Sequence, residues 1–209
     1  AGIAGTASAL VGMDGLTGAV HAAAQGPFTF PAPVYRTLGR TGMKITIVSF
    51  GAMLTPEPEV IRYALENGVN YVDTARRYLG GRNEGIVGRA LKGLRHKVYV
   101  ATKIQPSSTS KENIYKDVET SLRELGTDYV DVIQLHSLTD GGRIYNPEIR
   151  ETLKALRKQG KARFFGVTTH TNEAEVLNAL ADDKERLFST VLVKYNFKSG
   201  KDVKDAIAR

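Results

Sequence analysis

The chain has 209 residues, of which 42% are hydrophobic and 24% charged, a balance that buries a sizeable core and excludes disordered, collagen-like and coiled-coil organisation. Lys and Arg total 29 against 22 Asp and Glu, a formal charge of +7, but the basic residues are scattered and leave no footprint for nucleic acid. With no cysteine there is no disulfide, zinc ribbon, iron–sulfur cluster or thiol nucleophile within these residues, and no apolar run reaches the roughly 18 residues of a membrane span.

Residues 1–25 contain no Lys or Arg, a single Asp and a surplus of Ala and Gly. The small apolar stretch Ala1 to Met13 and the Ala22-Ala23-Ala24 site before Gln25 match the h-region and cleavage site of an export signal. The expectation is a signal-peptide remnant over 1–25 and a periplasmic or otherwise exported protein, of the twin-arginine type if an arginine pair lies upstream of Ala1. The alternative is an Ala/Gly-rich extension of a cytoplasmic protein. Pro27, Pro31 and Pro33 then make 26–34 an extended linker, and the folded domain is expected over 35–209.

YRTL and MKIT flank Gly39-Arg40-Thr41-Gly42 and predict a small β-hairpin. From there, short β-branched runs alternate with segments of helical period, the signature of βα units on a parallel sheet. Six strands are expected, over 45–51, 69–73, 97–103, 128–136, 162–167 and 189–195. Apolar residues at helical spacing mark the intervening helices: Ile86, Val87, Ala90 and Leu91; Ile114, Val118, Leu122 and Leu125; Ile149, Leu153 and Leu156; Val176, Leu177 and Leu180. Thr109 and Glu112 form a T-x-x-E capping box for the second of these, while Gly68, Gly126 and Gly160 stand where helices should stop. Six units of about 27 residues each are close to what a (β/α)8 TIM barrel of about 250 residues uses per unit. An open doubly wound sheet is the other reading of this pattern. The expected class is α/β, an incomplete barrel of six units preceded by the hairpin.

Asp73, Tyr78, Lys103 and His136 all fall at or just beyond C-terminal strand ends, the active-site face of parallel βα architectures. A lysine held beside Asp73 keeps its charge, that charge stabilises a neighbouring tyrosinate, and Tyr78 becomes a candidate general acid or base. The bland alternative is an ion pair with two ordinary loop residues, and it weakens when four such groups share one face. Other signals are slighter. Ser108 and Lys111 have S-x-x-K spacing without the partner motifs of a serine acylase, and the capped start of a helix explains them better. His170 and Glu173 lack a third ligand, so no metal site is expected. Gly80, Gly81, Gly85 and Gly88 are expected to shape the loop after Tyr78.

These residues carry a resemblance to the aldo-keto reductase superfamily. They are Asp73-Thr74-Ala75-Arg76-Arg77-Tyr78, Asn83-Glu84 with Gly88 and Leu91, Ala101-Thr102-Lys103, Ser121 through Asp131, Leu135-His136, and Gly160-Lys161-Ala162-Arg163 leading to Gly166-Val167. The similarity runs from about Tyr35 to the last residue. It implies an NADPH-dependent reduction of a small-molecule carbonyl, aldehyde or ketone, to an alcohol. Tyr78 would donate the proton, Lys103 and Asp73 would tune it, and His136 would orient the carbonyl. Gly51, Ala52, Asp73, Thr168 and Thr169 would contact the cofactor. Two features depart from the pattern: Thr168-Thr169 replace a Ser-Asn pair, and Leu192 stands where a Gln holds the nicotinamide carboxamide. A catalytically weak or inactive nucleotide-binding or regulatory protein on the same fold is the alternative. The resemblance leaves the substrate open, because variable loops build its pocket.

Overall fold

The structure, a computed structural model, describes residues 31–209. The expected signal segment and the first part of the linker lie outside the described residues. β1 (Tyr35–Thr37) and β2 (Lys44–Thr46) pair antiparallel across a 3-10 turn at Gly39–Thr41, the hairpin expected from YRTL and MKIT. Six strands follow: β3 (Phe50–Gly51), β4 (Tyr71–Asp73), β5 (Tyr99–Ile104), β6 (Val130–Leu138), β7 (Ala162–Thr169) and β8 (Phe188–Val193). Each pairs parallel with the next, in the order β3-β4-β5-β6-β7-β8. The sheet is curled and open, six strands of an incomplete (β/α)8 barrel.

The crossovers carry α1 (Pro58–Glu66), α2 (Asn83–Ala90), α3 (Lys111–Leu125), α4 (Gly142–Tyr145), α5 (Pro147–Lys158) and α6 (Glu173–Asp182), and α7 (Lys201–Ala208) follows β8. The strand alternation sorts side chains to two faces. Val72, Val100, Ile133, Leu135, Phe165 and Val167 turn outward and pack on Ile61, Val87, Ile114, Val118, Leu153 and Val176 of the helices, forming the main core. On the concave side Ala101 and Val132 meet Met43, with Leu38, Ile45, Tyr71, Tyr99 and Phe164 around them, so the hairpin plugs the floor of the sheet.

Three local expectations need correction. The first strand is shorter than 45–51, because Ile45 and Thr46 stay in the hairpin. There Thr46 N–H donates to Asn70 Oδ1 at 2.8 Å and Asn70 Nδ2 donates to the Lys44 carbonyl at 2.8 Å. Ile47 and Val48 are exposed, leaving β3 as two residues. The cap of α3 is Ser110, not Thr109: its extended backbone aims Oγ at the Asn113 N–H, which donates at 3.3 Å. Gly85 and Gly88 lie inside α2, not in the loop. At Gly88 a Cβ would come within 2.6 Å of the Glu124 carbonyl and 2.8 Å of the Leu125 carbonyl, so this glycine lets α2 approach α3. The helix stops behave as expected, with φ of 97°, 65° and 75° at Gly68, Gly126 and Gly160.

Candidate active site

Asp73 ends β4 and sits level with Gly51 of β3 and Ala101 of β5. Two residues further along β5, Lys103 is level with Gln134 of β6. Lys103 is 1% exposed and its ammonium makes two hydrogen bonds to the neighbouring strand and the residue after it, donating to Asp73 Oδ1 and to the Thr74 carbonyl at 2.7 Å. The other carboxylate oxygen, Oδ2, accepts from Gln134 Nε2 at 2.8 Å. A buried cation survives here because it is both paired and hydrogen-bonded.

Tyr78 reaches the same place from the loop after β4, which buried polar groups hold in position. Thr74 Oγ1 donates to Asn83 Oδ1 at 2.6 Å, and Asn83 Nδ2 donates to the Ala52 carbonyl at 2.7 Å. Glu84, wholly buried, accepts from Arg76 and from the Thr102 hydroxyl. The chain then reverses through Leu79, Gly80 and Gly81, all at positive φ, a turn that glycine makes without steric cost. The Tyr78 ring ends with the Lys103 ammonium 4.6 Å from its centroid and the His136 ring edge-to-face at 5.8 Å and 80°. All four predicted groups therefore meet at one point on the C-terminal face.

His136 is 8% exposed, and its buried Nδ1 has no hydrogen-bond partner. Burial first, then the nearby positive groups Lys103, Arg77, His170 and Arg143, push its imidazole down to about 4. It is neutral near pH 7, free to hydrogen-bond a carbonyl without carrying charge. Because the folded value lies below the ordinary 6.5, the unfolded chain binds the extra proton between these limits. Stability from this group is thus present above about pH 6.5 and lost as pH falls through about 4. The His136 ring signals in an NMR titration are expected to move with a midpoint near 4; a midpoint at 6 or above would overturn this environment. Tyr71, the other tyrosine beside Asp73, is pushed well above the usual phenol range by burial first, then by Asp73 and Asp131, and stays protonated.

The residues expected at a cofactor divide into two groups. Gly51 and Ala52 adjoin the quartet, and the Ala52 N–H donates to the Asp73 carbonyl at 2.9 Å. Gly51 and Asp73 also border an open cleft of about 360 Å³, with Gln134 and Leu192 among its other walls, and a Cβ at Gly51 would meet nothing within 4 Å. Thr168 and Thr169, by contrast, are buried two strands beyond β5. Thr168 Oγ1 accepts from the Ser137 N–H at 2.8 Å, while Thr169 Oγ1 donates to the Leu138 carbonyl at 2.8 Å. A hydroxyl that accepts keeps its proton for a further acceptor, so Thr168 retains a donor and Thr169 does not.

The slighter motifs take structural places. Ser108 Oγ donates to Asp117 Oδ2 at 2.6 Å inside the loop before α3, and Glu173 pairs with Lys194 at 3.0 Å. No group of three or more metal-ligating side chains occurs among the described residues. Sequence reasoning missed Gln134. The signal was an amide two residues before His136 in the same strand, at the spacing that puts both on one face. Gly166, named in the sequence only as part of the resemblance, gains a packing reason: it is level with Gln134 and Thr190, where a Cβ would lie 2.2 Å from Thr190 Oγ1 and 3.0 Å from its carbonyl. Gly166→Ala is expected to destabilise the fold by about 1–3 kcal/mol through overpacking. Unchanged urea unfolding would show that β7 and β8 can part there at no cost.

Residues 56–207 match the Aldo/keto reductase family. The chain is 37% identical over 152 residues to the uncharacterized oxidoreductase YqkF of Bacillus subtilis, covering 64% of this chain and 48% of that protein. It is 35% identical over 153 residues to L-galactose dehydrogenase of Arabidopsis thaliana, covering 64% and 47%. Among solved structures, an aldo-keto reductase from Klebsiella pneumoniae in complex with NADPH superposes with a TM-score of 0.72 at 28% identity, covering 84% of this chain and 63% of that one. With the half-barrel and the convergent Asp73, Tyr78, Lys103 and His136, the family match defines the class: this chain belongs to the aldo/keto reductase family. It spans about half the length of the curated relatives it matches.

Proposed function

We propose that the protein is an NADPH-dependent oxidoreductase that reduces an aldehyde or ketone to an alcohol, with Tyr78 as the general acid. The observation that carries this reading is the convergence on the Tyr78 ring of the buried Lys103–Asp73 pair and of a neutral, unpartnered His136. The open wall at Gly51 beside Asp73 fits a nicotinamide nucleotide, and Asp73 and Ala52 would flank it, with Thr168 and Thr169 buried behind. When bound, NADPH supplies the hydride. A carbonyl oxygen placed between Tyr78 and His136 accepts a hydrogen bond from the imidazole, which holds it in line with the phenol. As negative charge grows on that oxygen, the Tyr78 hydroxyl gives up its proton, and the Lys103 ammonium stabilises the tyrosinate left behind. Asp73 holds the Lys103 ammonium in place. The reading is tested by following NADPH oxidation with a panel of aldehydes and ketones in the complete gene product; nucleotide binding without turnover on any of them would overturn it.

Leu192 favours a second reading, a nucleotide-binding or regulatory protein with little turnover. It is level with Thr168, 43% exposed, and has no group to hydrogen-bond an amide. Leu192→Gln is expected to tighten NADPH binding by about 0.5–1.5 kcal/mol, one net hydrogen bond. A titration showing unchanged or weaker binding would mean that residue 192 does not face the carboxamide.

A further inference from the structure

We propose that Gln134 is a positioning residue for the proton-donating site: it locks the Asp73 carboxylate from behind so that the other oxygen stays on Lys103. This rests on the role proposed above for Tyr78. Gln134 is 2% exposed on the concave side of β6 and spans β5 to reach Asp73 Oδ2 at 2.8 Å. An ionised carboxylate only accepts hydrogen bonds, so the atom facing it is the amide nitrogen. Asp73 then has one oxygen on Lys103 and one on Gln134, and rotation of the carboxylate breaks both contacts together.

The neighbouring strands make room for this arm. Level with Asp73, the residue of β5 that it crosses is Ala101, with no side chain beyond its methyl. Level with Gln134, the residue of β7 is Gly166, where a Cβ would press on Gln134 Cγ at 3.3 Å. A buried amide costs free energy unless its hydrogen bonds are made, and an apolar residue would fill the same space without that cost. What Gln134 adds over such a residue is a fixed donor for Asp73. Through Asp73 it sets the place of the Lys103 ammonium beneath the Tyr78 ring, without itself touching the reacting atoms.

The test uses Gln134→Leu and Gln134→Glu in the complete gene product, with Tyr78→Phe in parallel. Gln134→Leu is expected to lower kcat roughly 10- to 100-fold, the scale of one hydrogen bond to a charged group, with KM for NADPH and carbonyl unchanged. Gln134→Glu can donate only when protonated, so its kcat relative to wild type is expected to recover as pH is lowered, a pH dependence that a space-filling role would not produce. Wild-type kcat in Gln134→Leu, or a flat ratio of Gln134→Glu to wild type across pH, overturns the positioning role while an inactive Tyr78→Phe leaves the proton donor standing. An active Tyr78→Phe overturns both. Should the leucine variant fail to fold, the near-isosteric glutamate variant and its pH ratio decide alone.

Discussion

Tyr78→Phe is expected to lower carbonyl reduction by roughly 10²- to 10⁴-fold, the usual contribution of a positioned general acid, while leaving nucleotide affinity nearly unchanged. The change is surgical because the aromatic ring is retained. Its edge-to-face contact with His136 and its place 4.6 Å from the Lys103 ammonium do not need the hydroxyl. The loop that presents residue 78 is held by Thr74, Arg76, Asn83 and Glu84, none of which bonds the phenol. Steady-state kinetics on aldehydes and ketones, with NADPH binding followed by fluorescence, separates the two effects. Wild-type turnover in this variant would mean that another group donates the proton.

Lys103→Met is expected to abolish most reduction and also to destabilise the protein by about 3 kcal/mol, the lower end of the cost of breaking a buried ion pair. Methionine replaces the apolar stem up to Cε but leaves Asp73 without its cation. The estimate stays at the lower end because the Asp73 side chain is 16% exposed and keeps the Gln134 amide, so the orphaned carboxylate is not wholly unsolvated. Denaturant unfolding alongside kinetics distinguishes this from Tyr78→Phe, for which little loss of stability is expected. A methionine variant as stable as wild type would show that the Lys103–Asp73 pair contributes nothing net to the fold, leaving only its effect on Tyr78.

Much of the architecture was legible in the chain. The alternation of β-branched runs with helical-period segments fixed the order of six βα units, since a strand and a helix differ in the period at which apolar residues recur. Glycines placed three helix ends, and the residue types at the strand ends singled out Asp73, Tyr78, Lys103 and His136 before any contact was known. These features are local: each depends on a few neighbouring residues whose backbone preferences do not wait for the rest of the fold.

What only the tertiary structure decided lies across strands. That Ile45 and Thr46 pair with Arg36 and Tyr35, and that Asn70, more than 20 positions away, ties down Lys44 and Thr46, depends on contacts the local pattern does not carry. That Gly88 serves a helix contact and Gly166 a crowded strand interface depends on backbones brought close by packing. The link from Gln134 to Asp73 spans 61 residues and skips a strand, and the descent of His136 toward acidic pH needs burial together with charges from four separate positions. Hydrogen bonds and Coulomb forces act over distance in space, and sequence spacing carries that distance only within a single strand or helix.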